Sequence, residues 1–142
     1  MIDPKLLDLL KHHEGFRGRP YIDTMGRQTI GYGHNLDALP LTQQQGDALL
    51  LEDVRIHANH LAKSRPIVLA LDPVRYAALV DMTFNLGVSG VLGFKHMWDY
   101  IEQGDWENAG LAALNSRWAA QVGFRAEEIA EMLLTGRWPH YL

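Results

Sequence analysis

Apolar residues recur at helical spacing from the start of the chain, at Ile2, Leu6, Leu9 and Leu10, with His13 continuing the stripe. Asp3 followed by Pro4 supplies an N-cap and a first helical residue whose missing N–H costs nothing, so the pattern predicts a helix over residues 4–13. Glu14-Gly15 ends it, because glycine takes the positive φ common at helix ends. The period then changes. Five glycines fall between Gly15 and Gly33, and two β-favouring runs, 19–22 and 27–32, flank a Thr24-Met25-Gly26 turn. This predicts a small antiparallel hairpin or three-stranded sheet. Thr42-x-x-Gln45 is a capping box ahead of the apolar run 48–51, and Val54, Ile56, Ala58 and Leu61 carry that helix to about Lys63. At ~1.5 Å per residue it would be ~30 Å long, enough to bridge two lobes. Ser64-Arg65-Pro66 breaks it. Asp72-Pro73 caps the next helix, which runs to about Leu86 and closes at Gly87. Further helices are expected at 94–103, 106–115 and 124–134, with Gly104 and Gly136 after the first and last.

The expected fold is α+β and mostly α: a small N-terminal β-sheet lobe over about 1–60, joined by the long helix to an all-helical lobe over about 61–142. The 142 residues are of single-domain length, and a chain of this size buries roughly two thirds of the surface its unfolded form exposes. Hydrophobic residues make up 47% and charged residues 21%, which excludes a disordered chain. The absence of cysteine removes disulfides, thiolate metal sites and a cysteine nucleophile. The net charge of −4 argues against general nucleic-acid binding. Residues 1–35 are near balance, with five Lys/Arg against four Asp/Glu, whereas 75–142 carry five against eight. An acidic body gives no electrostatic pull toward a polyanion, so binding to one would depend on local contacts. No basic segment with a long apolar run opens the chain, so no secretory signal is expected, and no stretch reaches the ~20 apolar residues of a membrane span.

The segment from Glu14 to Asn35 carries the chemistry. A carboxylic acid stands at a helix end, Asp23 follows at the end of a β-run, and Thr29 lies in the returning strand. A hairpin beside a helix end could bring all three to one cleft. Glycosidic hydrolysis requires such a set: a protonated carboxyl for the leaving oxygen, and a carboxylate that activates water or stabilises the cationic transition state. By spacing alone, two acids nine positions apart are ordinarily solvated surface groups. Seven histidines raise the question of a metal. His12 and His13 point about 100° apart on a helix, and His57 and His60 have ligand spacing but no third partner, so neither a metal nor a cofactor is expected. Gly31-Tyr32-Gly33 is a fragment of a nucleotide-binding fingerprint without a βαβ unit around it. Trp98, Trp106, Trp118 and Trp138 read as core packing, with Trp98 a candidate for stacking on a sugar.

Glu14-Gly15-Phe16-Arg17, Tyr21-Ile22-Asp23 and Thr29-Ile30-Gly31-Tyr32-Gly33-His34 together resemble the active-site signature of phage-type lysozymes, the endolysin muramidases of glycoside hydrolase family 24. Phe84-Asn85-Leu86-Gly87, Gly90, Gly93-Phe94, Ser116-Arg117-Trp118, Arg125-Ala126 and Thr135-Gly136 extend the resemblance through nearly the whole chain. It implies a lysozyme-like fold and an enzyme that hydrolyses the β-1,4 bond between N-acetylmuramic acid and N-acetylglucosamine in peptidoglycan. Glu14 would be the general acid, Asp23 the carboxylate that orients water, and Thr29 a hydroxyl that helps hold it. Asn35, Phe84 and Asn85 would line the saccharide cleft. Arg125 would pair with Glu14, and His34 with Asp53 on the long helix. A cation near Glu14 lowers a pKa that a general acid needs raised, so burial would have to compete with it. The resemblance further implies an inverting monomer, made in the host bacterial cytoplasm and released to the cell wall through a holin, with no nucleic acid and no stable membrane insertion. A lytic transglycosylase acting on the same bond, or a catalytically silent peptidoglycan-binding module, are the alternatives. Asp23 and Thr29 favour water as the nucleophile over the first, and the retained triplet disfavours the second.

Overall fold

A computed structural model describes residues 2–142. Helix α1 spans Pro4–Glu14; the Asp3 carboxylate caps it by accepting the Lys5 N–H, and Gly15, at φ 69°, ends it. Strands β1 (Arg17–Ile22), β2 (Gln28–Gly31) and β3 (His34–Asn35) form an antiparallel sheet in the order β1-β2-β3. Of the two arrangements the glycine-rich pattern allowed, the three-stranded one is present. β1 slips register between Arg17 and Tyr21, a bulge that contains Pro20, which has no N–H to give to a ladder. Tyr21 then pairs with Thr29, and Thr29 with Asn35, so β2 is the central strand.

Helix α2 spans Gln43–Ser64. Its capping box is reciprocal: Gln45 N–H donates to Thr42 Oγ1 at 3.2 Å, and Thr42 N–H donates to Gln45 Oε1 at 2.9 Å. The chain divides into two compact units, Met1–Leu49 and Leu50–Leu142, with the division inside α2. The sequence pattern placed it about eleven residues later, near residue 60. Thr29 is buried in the first unit, while the buried hydrophobic core of the described residues lies in the second.

A 3₁₀ turn over Pro66–Ala70 precedes α3 (Pro73–Leu92), where Asp72 Oδ1 caps the N–H groups of Val74 and Arg75. The sequence pattern ends α3 at Leu86. The backbone does break there, with Gly87 at φ 74° and ψ 162°, but helical geometry resumes to Leu92. Helices α4 (Lys95–Gln103), α5 (Trp106–Leu114), α6 (Arg117–Val122) and α7 (Phe124–Thr135) complete the chain. α5 packs on α4, α6 and α7, and α7 also packs on α3. The contact of α5 with α7 is close because its residues are small. Ala109, Gly110 and Ala113 are the buried residues of α5, Ala126 and Ala130 are among those of α7, and a Cβ on Gly110 would stand 3.0 Å from the Ala130 carbonyl oxygen. Trp98 is 1% exposed and its indole N–H donates to the Val91 carbonyl at 2.9 Å. It is a core residue, and the expectation that it stacks on sugar is overturned by that burial.

Arg75 closes the second unit. Its Nε and Nη2 donate to the carbonyls of Leu133 (2.7 Å) and Leu134 (3.0 Å), while Nη1 pairs with Asp72 at 3.0 Å. A cation thus meets the unpaired carbonyls at the end of α7, where the helix dipole is negative. No single helix among the described residues is long and apolar enough to cross a membrane.

Candidate active site

Glu14 is the last residue of α1, and Gly33 lies in the tight turn between β2 and β3. Gly33 sits at φ 74°, in the left-handed region, and a Cβ there would stand 2.9 Å from Glu14 Oε2. The turn therefore offers bare backbone to the carboxyl, which any side chain would displace.

Asp23 follows β1 and ends the hairpin's first arm. Its Oδ1 accepts the backbone N–H groups of Met25 and Arg27, both at 2.9 Å, and its Oδ2 accepts Arg27 Nε at 3.1 Å. The Asp-x-x-Gly-Arg turn forms because the carboxylate replaces the backbone partners that the tight loop cannot supply. The Arg27 N–H is the largest influence on the Asp23 carboxyl; partial burial opposes it, and the Met25 N–H and the Arg27 guanidinium reinforce it. The net effect holds Asp23 below the usual aspartate range, so it is a carboxylate at neutral pH.

Thr29 is 2% exposed at the centre of the sheet, and its hydroxyl donates to the Arg27 carbonyl at 3.0 Å. With that single proton committed, Thr29 Oγ1 is left as an acceptor. Asp23 and Thr29 are thus brought together through one shared neighbour. That link had no sequence signal, since an arginine between Gly26 and Gln28 in a turn reads as a solvated charge.

Of the other expected site residues, Asn35, His34, Phe84, Asn85 and Arg125 have definite partners. Asn35 Oδ1 accepts the N–H groups of Asp37 (3.0 Å) and Ala38 (3.2 Å), so its side chain also shapes the loop after β3. His34 Nε2 lies 2.8 Å from the Leu39 carbonyl, and since a carbonyl only accepts, that nitrogen carries the proton. Asp53 is exposed on α2, in the other unit from His34, and their pairing stays a proposal. In the second unit Phe84 meets the His57 ring edge-on, with centroids 5.3 Å apart. Asn85 Oδ1 accepts the Trp118 indole N–H at 2.8 Å, which leaves the Asn85 amide nitrogen as a donor. Arg125 Nε bonds Asp81 Oδ1 at 2.8 Å, a partner the sequence pattern did not indicate across 44 positions. The sequence also gave no sign of a cavity of about 740 Å³ in this unit, whose lining includes Lys95, His96, Tyr100, Asn108, Arg117 and Trp118. Those residues come from several helices, and of them only Arg117 and Trp118 share a motif.

The sequence model of the phage lysozyme family matches residues 11–132. The chain belongs to this family. It is 28% identical, over 91% of its length, to probable T4-type lysozyme 1 of Dictyostelium discoideum, and covers 93% of that relative. It is 36% identical, over 62% of its length, to an endolysin of Acyrthosiphon pisum secondary endosymbiont phage 1, and covers 61% of it. It is also 29% identical, over 96% of its length, to the pre-baseplate central spike protein of Enterobacteria phage T4, of which it spans 28%. As a member of the phage lysozyme family the chain is a glycoside hydrolase of the lysozyme type. Glu14, Asp23, Thr29, Asn35, Phe84 and Asn85 all fall within the matched span.

Proposed function

We propose that this phage-family lysozyme cleaves the β-1,4 bond between N-acetylmuramic acid and N-acetylglucosamine by direct attack of water, with inversion, and serves host cell lysis. The observation that carries the mechanism is the junction at Arg27, which ties an ionised Asp23 and an acceptor-only Thr29 to the same residue. A water held there gives one hydrogen to Thr29 Oγ1 and the other to Asp23, and keeps a lone pair for the anomeric carbon. In the reaction the water oxygen bonds to that carbon while its bond to the bridging oxygen breaks. Glu14 donates its proton to the bridging oxygen, and Asp23 takes the proton from water. A retaining mechanism would need Asp23 itself to attack carbon, which leaves Thr29 with no task.

Asn35, Phe84 and Asn85 are assigned to the saccharide, Phe84 by its exposed ring face and Asn85 by its amide nitrogen. His34, Asp53 and Arg125 are assigned supporting roles.

The test is hydrolysis of purified peptidoglycan by the wild type beside Glu14→Gln, with products identified by mass spectrometry and the first-formed anomer by NMR. An amide keeps the shape but has no proton to give, so activity should fall by ~10²–10⁴ or more while the fold persists. Retention of more than about a tenth of the activity, against that expectation, would remove Glu14 from the role. Reducing ends with the α-anomer first are the expected products from a β-linked strand. Anhydro ends would instead show a lytic transglycosylase, and the β-anomer first would show retention.

A further inference from the structure

The Arg27 carbonyl accepts two hydrogen bonds, from the Asp23 backbone N–H and from the Thr29 hydroxyl, both at 3.0 Å. The same residue returns its own N–H to Asp23 Oδ1 and its guanidinium to Asp23 Oδ2. The turn's backbone is already closed by the two N–H groups on Oδ1. The guanidinium bond is a further constraint, and it acts on the oxygen that the turn leaves unused.

We propose that Arg27 is a positioning residue for hydrolysis: its guanidinium fixes the plane and charge of the Asp23 carboxylate, while its carbonyl fixes the direction of the Thr29 hydroxyl hydrogen. This rests on the reading of Asp23 and Thr29 as the pair that holds water. An arginine suits the task because it stays charged at every pH the enzyme meets and reaches the carboxylate through a planar group of fixed donor directions. Without the Nε bond, the carboxylate could rotate about its last torsion and lose the water's second contact. Without the carbonyl acceptor, the Thr29 proton could turn toward the water, and water would then have to give both hydrogens to Asp23.

Three other charged groups of the first unit are engaged elsewhere. Asp37 accepts the Gln28 N–H at 2.9 Å, Arg17 lies 4.3 Å over the Tyr21 ring, and the Glu14 carboxyl lies at Gly33. Arg27 is the charged side chain bonded to Asp23. The Arg27 side chain is 50% exposed, so solvent screens its field and its share of the effect is modest beside that of the backbone N–H groups.

The test uses Arg27→Gln and Arg27→Lys in the full chain, with two readouts. The first is the NMR titration of the Asp23 carboxyl carbon, which does not depend on activity. The second is the pH profile of kcat/KM on purified peptidoglycan. In Arg27→Gln the Asp23 titration should move up while staying below that of a free aspartate, because the backbone donors remain. The acid limb of the profile should move up with it, and kcat should fall roughly two- to fivefold with KM unchanged. Arg27→Lys should return the acid limb toward the wild-type position, since charge is restored, but recover kcat only in part, since the planar donor is not. A titration or acid limb that stays in place in Arg27→Gln, or a change confined to KM, overturns the proposal. Asp23→Asn separates the two levels. If it is inactive while Arg27→Gln changes nothing, the clamp alone is wrong; if it is fully active, the water-holding pair is wrong and the clamp falls with it.

Discussion

At Gly33 the sequence had to choose between a side chain and the close approach of the Glu14 carboxyl. A Cβ there would stand 2.9 Å from Glu14 Oε2, and the φ of 74° already excludes a relaxed L-residue. Gly33→Ala should therefore cost about 1–2 kcal/mol in backbone strain and also push the carboxyl aside. We expect kcat to fall roughly 10–100-fold, the scale set by misplacing a catalytic group by about an ångström. Circular dichroism should show the fold retained, and wild-type kcat in Gly33→Ala would mean that the close approach has no catalytic role. At this scale the candidates were legible by type, because Glu14, Asp23 and Thr29 lie within sixteen consecutive residues, on the end of α1 and on one hairpin. Arg27 was not, since its importance comes from which atoms it meets rather than from its type.

The helix ends followed from local chemistry. Asp3, Thr42 with Gln45, Asp72, Gly104 and Gly136 act where the sequence placed them, because a cap needs partners only two to four residues away. The two elements that escaped notice are short. Pro66–Ala70 and Arg117–Val122 have five and six residues, too few for a helical period to repeat. Arg75 is the long-range counterpart of a cap, since it serves α7 from the first turn of α3. It also stacks 4.3 Å over the Trp106 ring, and its side chain is only 17% exposed. Arg75→Met keeps the stem but strands the Leu133 and Leu134 carbonyls and the Asp72 carboxylate. It should destabilise the protein by roughly 1.5–3 kcal/mol and lower Tm by about 5–10 °C. Thermal unfolding at pH 7 checks this, and an unchanged Tm would show that water satisfies the carbonyls as well.

For the whole molecule, acid weakens the structure through its hydrogen-bonded carboxylates. Asp23, Asp72 and Asp105 all titrate below the usual aspartate value of 3.8. At Asp23 the Arg27 N–H is the leading cause. At Asp72 burial pulls upward and is outweighed by the N–H and guanidinium of Arg75, and at Asp105 the Asn108 side chain dominates. Because each pKa is lower folded than unfolded, the stability these groups contribute is fully present above the unfolded value. It is lost as pH falls through the folded values. Tm should be nearly flat from pH 7 to about 5 and decline progressively below about pH 4. Asp72→Asn should flatten part of that decline, and a Tm independent of pH down to about 3 would show that the bonded carboxylates are not coupled to folding.

Local pattern determined the α+β reading, most element ends and the Asp23 turn, because each depends on residues within a few positions of one another. Packing alone decided what is separated along the chain. Asn85 meets Trp118 across 33 positions, Arg125 meets Asp81 across 44, and Arg75 meets Leu133 across 58. Nothing in the sequence ranks those partners above others of like charge or polarity. The same holds for Trp98, whose residue type suits a sugar face as well as a core, and which the packing of α3 and α4 encloses. A side chain's chemistry lists the partners it can take, and the fold selects one by bringing it within about 3 Å.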